Sequence, residues 1–548
     1  MRHTSNKHIE RLPFRGLSSL SWLLLISFVL LAVPAFAAAP RPNVLIILAD
    51  DMGFSDLGCY GGEMQTPTLD ALAADGLRYT QFYNTARCWP TRAALLTGYY
   101  AQEVGFDDLP GASKGAARKR PEWAHLLPEY LKRLGYHSYH SGKWHLDSTP
   151  VKCGFERSYA ILDYDHNFSP KHHTLDGEPL PPVKLSDGYY STTAITDRAV
   201  EFLKQHHAQH ADSPFFEYVA YVVPHFPLQA PPEDIAGVAD RYNIGWDEIR
   251  RARWQRIEEK LHLPGELSPL EPKIGSPYRN ARAHKEFGDL EVWHETPWNE
   301  LTDKQRQFEA QKMAIHAAMI ERMDHEVSRL VDQLRAMKAY DDTLVLFFSD
   351  NGASSEIMIR GDGHDPVAPP GSAATYLCLG PGWSNAANTP FRRHKTWVHE
   401  GGIATPLIAH WPAGISAKGE LRSAVGHVID LAPTILSLAG GAWPTEFDGK
   451  KLPPNPGKSL SPTFATDAKI DRDFLWWFHD GNRAIRQGDW KLVSSKGDAW
   501  ELFDLAHDRA ENIDFARAQP TKVQELSTAW NATLREFQKL AELHPIDN

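Results

Sequence analysis

Two apolar runs that each end in acidic residues constrain this chain more than any other feature. Val44-Leu45-Ile46-Ile47-Leu48-Ala49 shows no polar alternation, the pattern of a strand buried on both faces of a parallel sheet, and it ends in Asp50-Asp51. Thr343-Leu344-Val345-Leu346-Phe347-Phe348 follows a long helical pattern from Asp303 to Met337 and ends in Ser349-Asp350-Asn351-Gly352. Open α/β sheets place ligands beyond the carboxyl ends of their strands. Two core strands are therefore expected to bring oxygen atoms to one edge, and no local base neutralises Asp50 and Asp51, so something cationic is expected there.

Other segments fit the same plan. Pro214 to Tyr221 reads as a strand that runs on to Pro224-His225, and Pro406 to Trp411 as another, following Glu400-Gly401-Gly402. Helical patterns at Thr68 to Gly76 and Val428 to Ala439 alternate with the strands, which predicts an α/β sheet covered on both faces. The tail has a different rhythm. Short strands around Phe474 to Phe478, Arg483 to Gln487, Trp490 to Ser494 and Trp500 to Asp504 precede a helix with Val523, Leu526, Trp530, Leu534, Phe537 and Leu540 on one face. This predicts a small antiparallel sheet with one packed helix. The Pro/Gly/Lys-rich stretch Gly449 to Pro462 marks the boundary, giving a large domain over 39–455 and a smaller one over 456–548. The charged, Trp-bearing stretch Asp240 to Glu300 reads as a surface excursion.

The first 38 residues read as an export signal. Arg2, Lys7, Arg11 and Arg15 precede an apolar run from Leu20 to Val33, and Ala35-Phe36-Ala37-Ala38 suits a small-residue cleavage site. The alternative is an uncleaved anchor; in both readings the chain is exported, periplasmic or secreted, and no stable membrane insertion is expected once the signal is cleaved. With 69 acidic against 58 basic residues, a general nucleic-acid binder is excluded, because phosphate contacts need a basic surplus. Cys59, Cys88, Cys153 and Cys378 are too few and too scattered for a zinc site or a disulfide framework.

The most specific motif is Cys88-Trp89-Pro90-Thr91-Arg92, followed by Ala93-Ala94-Leu95-Leu96-Thr97-Gly98. A C-x-P-[ST]-R motif running into a helix and L-x-T-G resembles the signature of the type I, formylglycine-dependent sulfatases. Asp50-Asp51, Gly142-Lys143-Trp144-His145-Leu146, Pro224-His225, Ser349-Asp350-Asn351-Gly352 and Lys395 ahead of Glu400-Gly401-Gly402 stand in that family's order. The resemblance runs from Arg41 to the terminal helix. It implies the large, mixed, mostly parallel sheet sandwiched by helices that alkaline phosphatase-like enzymes share.

The resemblance also implies chemistry. Cys88 would be oxidised to formylglycine (3-oxoalanine) by a formylglycine-generating enzyme, and its hydrate would be the nucleophile, passing through a covalent sulfo-enzyme. Asp50, Asp51, Asp350 and Asn351, with an oxygen of the modified Cys88, look like metal ligands, and an all-oxygen set suits Ca²⁺. Arg92 would sit against the diol, Lys143 and Lys395 on sulfate oxygens. His145 resembles the family's base and His225 the group near the leaving oxygen. The substrate would be a sulfate monoester, either aryl or carbohydrate.

Two positions depart from the pattern: Trp89 is bulky where the motif varies, and Asp147 stands where the family commonly has Gly and would add charge near the pocket rim. A formylglycine-dependent phosphonate monoester or phosphodiester hydrolase is the nearest alternative, but those enzymes typically carry Asp-His where this chain has Asp350-Asn351. A non-catalytic sulfated-glycan binder is a second alternative, expected to have lost metal or proton-transfer residues that are all present here.

Overall fold

The computed structural model describes residues 41–110 and 118–543, so the export-signal reading falls outside the described residues. Asn43–Asp50 lies in the middle of a mixed eleven-stranded sheet. Thr343–Ser349 pairs with it on one side and Phe215–Pro224 on the other, both parallel. His137–Lys143 and Arg157–Ile161 continue the parallel part, while Ala404–His410 and Leu77–Tyr83 add antiparallel strands at the other flank.

Val44 to Ala49 are all 0% exposed. Successive strand residues point to opposite faces, so complete burial requires cover on both, and each large aliphatic side chain so buried stabilises the fold by roughly 1.5–3 kcal/mol. The helices Asp303–Ala336 and Ser191–His210 pack on one another and on Phe215–Pro224; Leu127–Arg133 packs on His137–Lys143, and Leu431–Leu438 on the helix Cys88–Thr97.

Register positions the functional edge. Ala49 pairs with Ser349 and Asp50 with Pro224, and the Asp350 amide donates to the Ala49 carbonyl at 3.1 Å, so Asp50, Asp350 and His225 leave the sheet at one level. Gly142 pairs with Ala220 beside them at φ +120; a Cβ there would meet the Ala220 carbonyl oxygen at 1.9 Å. Only glycine lets the strand approach that closely just before Lys143.

The tail forms the expected antiparallel sheet, in the order Leu475–His479, Asn482–Gln487, Trp490–Ser494, Glu501–Asp504, covered by the helix Pro520–Leu543. Trp530 of that helix stacks on Trp476 at 5.4 Å. The stretch 240–300 differs from expectation. Its helix Trp246–Leu261 carries Trp246 and Arg253 fully into the interior, where Arg253 pairs with Asp56 at 2.7 Å and Glu63 at 2.8 Å. Charge pairing inside the protein gives the same composition as solvation outside it. All four cysteines are free and buried.

Candidate active site

Cys88 opens the helix Cys88–Thr97, where unpaired amides favour negative charge. Thr91 fixes the turn before it: its hydroxyl accepts from the Thr85 amide at 3.1 Å and lies 2.7 Å from the Thr85 hydroxyl. Cys88 is 3% exposed. Burial pushes its thiol up, against the pull of the Lys143 and Lys395 charges.

The acids converge from the two strands. Asp51 has φ 68, a left-handed turn that a non-glycine residue adopts at a cost of about 1–2 kcal/mol. An extended chain would send consecutive carboxylates to opposite faces, and this turn breaks that alternation. The Asp51 carboxylate accepts from Asn351 Nδ2 at 2.6 Å and from Lys395 Nζ at 2.7 Å. Asp50 accepts from Lys143 Nζ and lies 3.5 Å from the Arg92 guanidinium. Burial pushes the Asp50 carboxyl up, but the permanent cations beside it, Lys143 first and then Arg92, pull the other way, and the net shift is downward. At Asp350, burial and then the charge on Asp50 win, and its carboxyl is raised.

Arg92, fully buried, forks onto Asp350 with Nε at 3.1 Å and Nη2 at 2.7 Å, and its third contact is the Lys143 carbonyl at 2.8 Å. Among the described residues two acceptor atoms in the cluster have no hydrogen-bond donor: Asp50 Oδ1 and Asn351 Oδ1, both buried. A buried oxygen without a donor costs roughly 1–3 kcal/mol, a cost that a bound cation could offset. Asp50, Asp51 and His225 also bring ligand atoms within 4.8 Å of one another. Oxygen donors in this number suit a hard divalent ion such as Ca²⁺.

Two histidines flank the cluster. His225 Nδ1 faces the Phe226 carbonyl at 2.5 Å, which leaves Nε2 as the free nitrogen, 3.7 Å from Asp51 Oδ2. His145, at φ 58, sits edge-on to Trp89 at 5.7 Å and near Tyr164 at 5.3 Å. Burial, then the charges of Lys143, Arg92 and Arg118, holds His145 well below the ordinary imidazole range; burial with Lys395 and Lys143 does the same to His225. Both rings are neutral near pH 7 and are proton acceptors as they stand.

The residues expected to act together thus lie in or beside one buried cluster: Cys88, Arg92, Asp50, Asp51, Asp350, Asn351, Lys143, Lys395, His145 and His225. Asp147 does not charge the rim, because Arg120 Nε binds it at 2.7 Å. Trp89 lies under the guanidinium groups of Arg118 at 4.1 Å and Arg87 at 5.1 Å. Sequence reasoning missed Glu356, which is buried between Arg87 at 3.0 Å and Lys395 at 3.3 Å. These cations hold its carboxyl well below the usual range in spite of burial. It also missed His479 of the tail sheet, paired with Asp107 at 3.0 Å and 5.8 Å from the Trp89 ring. Nothing near Glu356 or His479 in the chain signals either.

Comparison with known proteins agrees along the chain. Residues 42–442 match the family model described as Sulfatase, and residues 392–539 match one described as N-sulphoglucosamine sulphohydrolase, C-terminal. An uncharacterized sulfatase of Schizosaccharomyces pombe is 30% identical over 90% of this chain and 93% of its own length. An arylsulfatase of Klebsiella aerogenes is 31% identical over 80% of this chain and 95% of its own, and an N-acetylglucosamine-6-O-sulfatase of Bacteroides thetaiotaomicron is 25% identical over 94% and 90%. The solved structure of Ps i-CgsB with k-i-k-neocarrahexaose superimposes with a TM-score of 0.62 at 23% identity, over 90% of this chain and 93% of that one. The phosphonate monoester hydrolase of Agrobacterium radiobacter superimposes with 0.53 at 19%, over 91% and 96%. These two likenesses concern the fold.

Proposed function

The chain belongs to the sulfatase family and is a sulfuric ester hydrolase, and from that premise we propose that it cleaves sulfate monoesters with a formylglycine made from Cys88 and a calcium ion held by Asp50, Asp51, Asp350 and Asn351. The observation that carries the reading is the meeting of Cys88, two buried lysines and a surplus of buried acceptor oxygens at one strand edge. Bound there, the ion would polarise a sulfate oxygen, and the hydrate of formylglycine 88 would supply the attacking oxygen.

The remaining residues divide the work. Lys143 and Lys395 are ammonium donors 1% exposed, held by Asp50 and Asp51 at the pocket floor, where they bind sulfate oxygens as charge builds on them. Arg92 aligns Asp350 through its two-nitrogen fork and adds a fixed positive charge beside residue 88. His145, neutral in its surroundings, takes a proton from residue 88 when sulfate is released. His225 acts at Nε2, since Nδ1 is committed to the Phe226 carbonyl. The negative charge of an arriving ester raises its affinity for the proton that the leaving oxygen needs.

The same reading makes residues 39–455 the catalytic domain and 456–548 the smaller one, with residues 1–38 directing export to the periplasm or medium. Among the described residues no helix is long and apolar enough to cross a membrane. Cys88 is buried in the folded chain, so the oxidising enzyme would act on it before the helix Cys88–Thr97 packs.

The test is mass spectrometry of the tryptic peptide containing residue 88, from protein expressed with and without a formylglycine-generating enzyme, beside nitrophenyl sulfate turnover. An aldehyde mass that tracks activity is expected. Full activity from a peptide that carries only the thiol would overturn the mechanism.

A further inference from the structure

Metal-binding side chains also gather at the opposite end of the sheet from the catalytic cluster. His137 opens the strand His137–Lys143 and Lys143 closes it, so about 20 Å of chain, at roughly 3.3 Å per residue, separates the two places. Glu156 stands just before the neighbouring strand Arg157–Ile161, and His210 ends the helix Ser191–His210. One ligand atom from each of His137, Glu156 and His210 lies within 4.8 Å of the other two.

Main-chain hydrogen bonds hold all three residues in place. The His137 amide donates to the Pro214 carbonyl at 3.1 Å and the Glu156 amide to the Ser138 carbonyl at 2.8 Å, while the His210 carbonyl accepts from the Ser213 amide at 2.9 Å. The side chains converge as well. His137 Nδ1 lies 2.8 Å from Glu156 Oε2, and the rings of His137 and His210 stack at 3.8 Å with 15° between their planes. His206, one turn earlier in the helix, packs its ring on both at 5.8 Å and 6.0 Å. It supports the pair without being a ligand, because Nδ1 faces the Tyr139 hydroxyl and Nε2 the Ser213 carbonyl, each at 3.0 Å. His137 and His210 are half-buried and Glu156 is exposed, so an ion can reach all three from solvent.

Two imidazole nitrogens and one carboxylate oxygen suit Zn²⁺, with water as the fourth ligand of a tetrahedron. The edge of that tetrahedron is about 3.3 Å for bonds of about 2.0 Å, so the widest separation of 4.8 Å has to close by about 1.5 Å. Rotation of side chains at the surface supplies that much. The carbonyl end of the helix, at His210, adds partial negative charge. We propose that His137, Glu156 and His210 form a zinc site that pins the end of this helix to the starts of two neighbouring strands. It stands apart from the sulfatase reading: the catalytic cluster offers mainly oxygen, which suits Ca²⁺, and the donors here are mainly nitrogen.

The test titrates full-length, aldehyde-bearing protein without a polyhistidine tag with Zn²⁺ against a chromophoric chelator, Ca²⁺ being in excess throughout. One site of micromolar affinity or tighter is expected, together with a melting temperature that rises on adding Zn²⁺. His137→Ala and His210→Ala are each expected to weaken binding at least tenfold and to abolish that rise, since changing a residue that merely orients a ligand already costs about 10–100-fold. Nitrophenyl sulfate turnover should stay unchanged in both. Cu²⁺ in place of Zn²⁺ should show electron-spin coupling to two imidazole nitrogens in the wild type and to one in either variant. Glu156→Gln is isosteric and exposed, so it gives a third measure of affinity if a histidine variant folds poorly. Affinity equal in the wild type and the variants would overturn the proposal, as would a wild type that takes up no Zn²⁺ at micromolar concentration.

Discussion

The protein buries two clusters of opposite charges that differ in how completely they are matched. At the junction with the tail sheet, Glu400 accepts from Lys491 at 2.8 Å on one oxygen and from Arg509 and Tyr83 at 2.9 Å each on the other. At the strand edge, Asp50 and Asn351 each keep one oxygen without a donor. The composition is alike, acids against Lys and Arg, and burial is complete in both. Glu400, satisfied on both oxygens, fastens two parts of the fold, whereas acceptors left over beside a nucleophile leave room for a ligand.

Asp350→Ala would strike the unmatched cluster hardest. Nitrophenyl sulfate turnover per folded molecule is expected to fall by at least 10²–10³-fold, the scale of removing one electrostatic stabiliser. Added Ca²⁺ should raise the melting temperature of the wild type and not that of the variant; equal shifts would erase the distinction between the clusters. Lys491→Met makes the opposite cut. It leaves Glu400 and Glu511 short of a buried cation and is expected to cost about 3–5 kcal/mol in urea unfolding, with turnover per folded molecule retained.

His225→Ala probes a smaller effect inside the active cluster. The loss on a poor alkyl leaving group is expected to exceed that on nitrophenyl sulfate by about tenfold or more, within the 10²–10⁴-fold range of acid catalysis. Equal losses would remove Nε2 from the leaving oxygen. A third arrangement is a half-buried acid with no cation among the described groups that shift it. Burial pushes the Glu103 carboxyl up to about 8, against the Tyr100 amide that donates to it, and Glu536 adds to the rise. The folded chain thus holds a proton that the unfolded chain releases near pH 4.5, so stability falls as pH climbs from 4.5 to 8. Glu103→Gln should flatten that slope in denaturation series across this window.

Much of this was legible in the chain because it is local. Unbroken apolar runs announce Asn43–Asp50 and Thr343–Ser349, and the acids at their ends need only the parallel register to meet. Cys88, Thr91 and Arg92 are fixed by one turn and one helix, so a short motif carries them. The tail strands and helix follow from their spacing, to within a residue or two at most ends. Glu356 and His479 were not legible, since Glu356 meets Arg87 across 269 residues and His479 meets Asp107 across 372. Arg253 misled for a related reason: its counter-charges Asp56 and Glu63 lie nearly 200 residues upstream, and alone it looks like a solvated arginine.

Asp50 and Asp350 leave neighbouring hydrogen-bonded strands one residue past the pair Ala49 and Ser349. Their spacing is therefore inherited from the ladder itself, about 4.8 Å between strands, and no loop has to maintain it. Tyr164 and Glu356 hang from irregular segments that share none of that ladder. The spacing of Asp50 and Asp350 is thus indifferent to whatever the irregular segments around it become.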